Sequence, residues 1–201
     1  MIKCCPNPRW RLALGVAVIA LFAASWAVDA QEPVTSPELR QAEAAMGDLG
    51  QRLRIALTQK MQAEGPVAAV DFCHVEAPQI AAAVALEHGV RVGRTAVRHR
   101  SPANAPVEWQ QGVLEHFVQH AETISPQQLF YAETADDTLR VAKGIPTQAP
   151  CLACHGPAIA EPVRAAIAAR YPNDNATGFS EGDLRGMFWA EVPLTSTEDQ
   201  P

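Results

Sequence analysis

This 201-residue chain is short of positive charge: 16 lysines and arginines stand against 22 aspartates and glutamates, a formal net charge of −6 at pH 7. That balance argues against nucleic acid or an anionic membrane as the main partner, because both recruit proteins through clustered cations. Long hydrophobic runs are missing after the first thirty residues, so no second membrane span follows. The chain has no internal repeat and no low-complexity segment. It also lacks a Ser-His-Asp constellation, a paired-carboxylate signature and a phosphate-binding loop, so none of those chemistries announces itself. Cysteine is scarce. Beyond the N-terminal segment only Cys73, Cys151 and Cys154 remain, an odd number that leaves one thiol outside any disulfide pair.

What is present begins with Lys3, Arg9 and Arg11, followed by an apolar run from Leu12 to Val28 and the small residues Val28-Asp29-Ala30. Together these predict a signal peptide over residues 1–30, cleaved after Ala30, and export to the periplasm. Cys4 and Cys5 lie in its basic region and would leave with it. The alternative is an uncleaved N-terminal anchor facing the periplasm, since the run approaches spanning length.

Cys151-Leu152-Ala153-Cys154-His155 has the C-x-x-C-H pattern used to attach c-type haem covalently. Its two thiols add across the haem vinyl groups as thioethers, the spacer lets both reach one porphyrin edge, and the adjacent imidazole is placed to ligate iron. With five cysteines and six histidines in the chain, chance supplies roughly 0.004 such patterns. A disulfide between Cys151 and Cys154 would leave Cys73 as an oxidisable thiol. Zinc needs four ligands, and His155 and Cys73 do not stand at a recognisable zinc spacing. A thioredoxin-like C-x-x-C follows a strand in a βαβ context, whereas this one follows the loop 144–150. The reading is therefore one covalent haem c.

Ser36-Pro37 supplies an N-cap and a first-turn proline, and Leu39, Ala42, Met46, Leu49, Leu53, Leu57 and Met61 recur at helical spacing, as a core stripe or a dimer contact. Gly65-Pro66 is expected to break that helix and start another, in which Val67, Val70, Cys73 and Ala77 share an inward face. Pro78 is expected to restart a helix to about His88, closed by Gly89. Alternation from Val90 to Ala96 predicts a strand. A loop over 101–106 leads to a helix over 107–122, capped near Asn104 or Ala105. Residues 129–133 and 138–142 predict a hairpin around 134–137, a helix is expected over 159–170, and a last strand over 184–192. Met187, in that strand beside aromatics, is expected to pack in the core. His88, His99, His116 and His120 read as surface residues. Helices followed by interleaved strands indicate an α+β fold around a small antiparallel sheet.

Further blocks accompany the haem motif: Asp71-Phe72-Cys73-His74, Ala77-Pro78-Gln79-Ile80-Ala81, Gly93-Arg94-Thr95, and Arg100 to Pro106 with Glu108-Trp109. Tyr171-Pro172-Asn173-Asp174-Asn175-Ala176-Thr177-Gly178-Phe179 and Gly182-Asp183-Leu184-Arg185-Gly186 complete the series. In this order, over about 36–194, they resemble the family of exported single-haem c-type domains with a PAS-like fold and a His/Cys iron pair. That family has long been classed as a domain of unknown function. Ser101 departs from the family pattern, which has Asn there. The resemblance implies a PAS-like sheet flanked by helices, with an N-terminal helical segment, in a single haem domain over 31–201. It implies His155 and Cys73 as the two axial ligands. From the residues alone Cys73 is either a small buried hydrophobe or an available ligand, and its neighbour His74, about 100° away on a helix, could not face iron with it. Arg94 and Arg100 lie in the family blocks and are candidates to hold the haem propionates, although solvated surface is the default for such charges.

A thiolate favours Fe(III), so the expected function is low-potential electron transfer or redox chemistry in the periplasm, with an unidentified redox or signalling protein as partner. The alternative is a redox or gas sensor signalling through a separate protein. An enzyme is not expected, because the resemblance fills both axial positions. No nucleic acid, and no stable membrane association once the signal peptide is removed, is expected either.

Overall fold

The computed structural model describes residues 36–194. The expected signal peptide, its cleavage site, Cys4 and Cys5 lie outside the described residues. The elements run α1 (Pro37–His88), β1 (Arg91–Thr95), α2 (Glu108–His120), β2 (Phe130–Ala135), β3 (Thr138–Pro146), α3 (Leu152–His155), α4 (Glu161–Arg170) and β4 (Leu184–Pro193). The fold is α+β, with a four-stranded antiparallel sheet flanked by helices.

The helical start is a hairpin. Ser36 caps α1 by accepting the Leu39 N–H at 3.1 Å, and Gly89 closes it in the left-handed conformation. Inside, only Gly65 departs from helical geometry, at φ 83° and ψ 176°, a backbone region that favours glycine because it has no Cβ. The cross-limb contacts show that the chain reverses there. Arg52 meets Glu87 at 2.5 Å, Asp48 meets His88 at 3.1 Å and Lys60 meets Glu76 at 3.7 Å, so the 37–64 and 66–88 limbs run antiparallel. The expected restart at Pro78 does not occur. Pro78 lies within the helix and is exposed, as is His74, whose carbonyl loses its helical donor at the surface, where water can replace it. Val67 also departs from the expected inward stripe, at 43 % exposed just after the reversal.

The sheet order is β1-β4-β3-β2, so β4 is central and β1 is an edge. Asp136 and Asp137, at φ 52° and 54°, make the two-residue turn between β2 and β3, tighter than the expected four-residue turn. One sheet face, with Val92, Val141, Ala190 and Val192, packs on Ala42, Met46, Leu49 and Phe72 of α1. The other, with Ala142 and Met187, packs on Val113, Leu114 and Phe117 of α2. Period-two alternation along β4 therefore feeds two cores from one strand. Helix α2 begins at Glu108, one residue after the expected start, and its cap is Val107 rather than Asn104 or Ala105. Pro102–Asn104 closes its own 3-10 turn, and Pro106 keeps Ala105 extended. The Gln110 side chain then accepts the Val107 N–H at 3.2 Å.

Candidate functional site

A cavity of about 230 Å³ opens between α1, the end of β1, the segment after it and the turn carrying α3. Every site residue expected from the sequence lines it: Cys73, Arg94, Arg100, Cys151, Cys154 and His155. Each reaches it for a local reason. Cys73 comes from the second limb of α1, on the same face as Val70, which packs against Ile159, Val163 and Cys154. Arg94 projects from β1 two residues after Val92, on the α1 side of the sheet. Cys151 ends a 3-10 turn that runs directly into α3, so Cys151, Cys154 and His155 lie within one continuous coil of chain. Gly156 stops that coil: a Cβ there would stand 2.6 Å from the Leu152 carbonyl oxygen.

The three cysteines are free thiols. Burial raises the Cys73 pKa, with Arg94, Arg100 and Arg185 opposing it, and burial raises that of Cys154, opposed by Arg100. His155 donates from Nδ1 to the Ala176 carbonyl at 2.6 Å, which leaves the lone pair on Nε2. Burial, then the cations Arg185 and Arg100, push its pKa down to about 3, so the imidazole is neutral. Phe179 stands edge-on to the His155 ring at 6.4 Å and donates its N–H to the His155 carbonyl at 3.0 Å.

Arg100 ties the site together. Its Nη2 donates to the Cys154 carbonyl at 2.6 Å and meets Asp174 at 3.1 Å in a pair that is nearly enclosed on both sides. Its Nε is buried without a partner. The loop after it is held by backbone bonds and by the Thr95 hydroxyl, which donates to the Asn104 carbonyl at 2.8 Å.

Two cavity residues were missed at the sequence level. Arg185 lines the cavity, stacks on Phe179 at 5.0 Å opposite Arg98 at 3.7 Å, and has its pKa lowered to about 10 by burial and then by Arg94 and Arg100. It stood in one of the motifs above, but its strand gave no sign that position 185 would come close to Arg94 and Arg100. His99, read as a surface residue, also lines the cavity, because the bend after β1 turns it inward. His74 does not line this cavity; it is exposed and edge-on to Tyr171 at 5.2 Å. Met187 is fully buried on the α2 face, as expected. Among the described residues no cluster of three His, Cys, Asp or Glu side chains is arranged to hold a metal ion.

This is an α+β domain whose single-strand edge, helical hairpin and C-x-x-C-H turn enclose a thiol, an imidazole and three guanidiniums. It belongs to the Tll0287-like family (Tll0287), whose profile matches residues 26–193. Among solved structures it is similar to the cyanobacterial heme-protein Tll0287, with a TM-score of 0.58 and 28% identity, covering 77% of this chain and 94% of that one. No curated protein matches this chain.

Proposed function

We propose that this chain is an exported monohaem c-type protein of the periplasm, with low-potential His/Cys-ligated iron, acting in electron transfer or redox chemistry. The observation that carries the reading is the convergence of Cys73, Cys151, Cys154 and His155, from α1 and the α3 turn, on one cavity. The similarity to a heme-protein supports it.

The residues fit the group. Cys151 and Cys154 would hold it as thioethers, and His155 offers an unprotonated Nε2 fixed by its Nδ1 bond. No carboxylate lines the cavity, whereas Arg94, Arg100 and Arg185 do, and Arg100 Nε is left without a partner. Such a set of donors suits the two propionates. Cys73 would be the second ligand, since bound iron lowers a thiol pKa that burial otherwise raises. Bound haem would supply a one-electron iron centre, and the chain's own part would be to hold the imidazole neutral, exclude water with Leu57, Met61 and Phe188, and present the Cys73 sulfur to the cavity. With Cys73 and His155 both assigned to the iron in this reading, an enzymatic role is not proposed. The second reading, a redox or gas sensor working through a partner protein, draws support from the space on the other side of Cys73, which borders a further cavity into which sulfur could withdraw.

Protein expressed with a c-type maturation system is expected to keep haem on a denaturing gel, and Cys151→Ala with Cys154→Ala to abolish the staining. Loss of stain from the unmutated protein would refute covalent attachment.

A further inference from the structure

A second cavity, of about 360 Å³, lies along β1 between the 66–88 limb of α1 and the segment from Ser101 to Gln110. It shares Cys73, Arg94, Thr95, Ser101 and Asn104 with the first cavity, but Cys151, Cys154 and His155 do not line it. Its polar wall is rich in unspent donors. Gln110 is only 4% exposed and commits its carbonyl oxygen to the Val107 N–H, which leaves its amide NH2 without a partner among the described residues. Arg94 likewise makes no ion pair with a described residue, and its five N–H donors allow one edge to face each cavity. Arg91, also on the wall, is already neutralised by Glu191 at 2.5 Å. No aspartate or glutamate lines the space, in a chain of net charge −6. The opposite wall is apolar, built from Leu49, Leu53, Ala77 and Ala81.

We propose that this second cavity binds a small organic carboxylate, with its anionic end on Arg94 and Gln110 and its hydrocarbon end against Leu53, Ala77 and Ala81. Neither donor is spent within the described chain, and a carboxylate entering the cavity would accept from both, with a charge-assisted bond to Arg94. A cavity of this size suits a ligand of benzoate or hexanoate dimensions. The site uses none of the C-x-x-C-H residues but shares Arg94 and Cys73 with the proposed haem site, so it rests on a propionate occupying only one edge of Arg94.

The test is calorimetric titration of the purified, haem-loaded protein with benzoate and with its neutral isostere benzamide. Benzoate is expected to saturate at one per chain and to bind at least tenfold more tightly than benzamide. Gln110→Leu should weaken benzoate at least tenfold with the visible spectrum unchanged. Ala105→Trp, at an exposed position on the cavity rim, should do the same and does not disturb the core. Equal affinity for benzoate and benzamide, no benzoate binding, or binding unchanged in Ala105→Trp would overturn the proposal. Binding that disappears only with Cys151→Ala and Cys154→Ala would also overturn it, by locating the ligand in the first cavity. A preparation without covalent haem would refute the haem reading and still leave the titration legible.

Discussion

On the α2 face of the sheet, Arg91 and Arg140 flank Glu191, which also accepts the Trp109 indole N–H at 2.9 Å. The strand register continues this row to Glu133 opposite Arg140, so positive and negative charges alternate across all four strands. On the α1 face, Arg94, Arg100 and Arg185 crowd a cavity whose wall has no carboxylate. Each arginine of the first face has a carboxylate partner in the row, although Arg140 Nε is left without a hydrogen bond, whereas on the second face Asp174 pairs with Arg100 and no ion pair is made by Arg94 or Arg185 with a described residue. A surplus of donors in an enclosed space is a structural statement about a missing partner, whereas a balanced row is a statement about strand pairing.

The comparison breaks most sharply at Cys73. Cys73→Ala on the open face should keep covalent haem but lose the low-spin thiolate signature in electron paramagnetic resonance, and its midpoint potential should rise because an anionic donor that favours Fe(III) is gone. An unchanged spectrum would transfer the ligand role to another side chain. Phe117→Ala, at a fully buried position of the closed face, should leave the spectrum alone and cost about 3–5 kcal/mol in denaturant unfolding. A spectral change there would mean that the two faces are coupled.

Glu191→Ala removes the centre of the charge row. It should cost about 1.5–3 kcal/mol, because Arg91, Arg140 and the Trp109 N–H lose a charged acceptor, again with no change in the haem bands. The smallest effect is expected from acid at the open end of the α1 hairpin. Arg52 and His88 hold the Asp48 carboxyl below its usual range, and Arg52 does the same for Glu87. The folded state then binds these protons less readily than the unfolded chain. The stabilisation is complete above the unfolded values and fades as pH falls through the lowered folded ones, below about pH 4. Thermal melts at falling pH should show a shallow loss, flattened by high salt because Glu87 is exposed and Asp48 only partly buried. A loss that salt does not affect would point to buried carboxylates instead.

Much of this was legible in the chain. Strand and helix periodicity located the four strands and the longer helices to within a few residues, because β1, β3 and β4 bury part of their length and each longer helix a stripe; β2 buries none of its residues, and the one-turn helix α3 was not expected. The C-x-x-C-H turn was legible because its chemistry is local. Cys73 was harder: helical phase indicated that it faces inward, but which cavity it faces depends on how the hairpin docks on the sheet. Pro78 misled because a missing helical bond costs little on a solvated face, while packing of Ala77 and Val84 keeps the helix continuous. Arg185 and His99 were illegible for a common reason. Both owe their position to where β4 and the bend after β1 meet in space, and no local period encodes that meeting.

The reversal at Gly65 sets an angular clock for the sulfur. Cys73 follows it on an unbroken helical limb, in which each residue turns the next by about 100°. Adding one alanine between Gly65 and Cys73 would swing the thiol a quarter-turn off the cavity, and adding seven would bring it back to within about 20° of its bearing, though about 10 Å further along the axis. Loop insertions elsewhere can be absorbed as slack. Here the chain from reversal to sulfur behaves as a rigid crank of fixed length, so this stretch should tolerate substitution far better than any change in residue number.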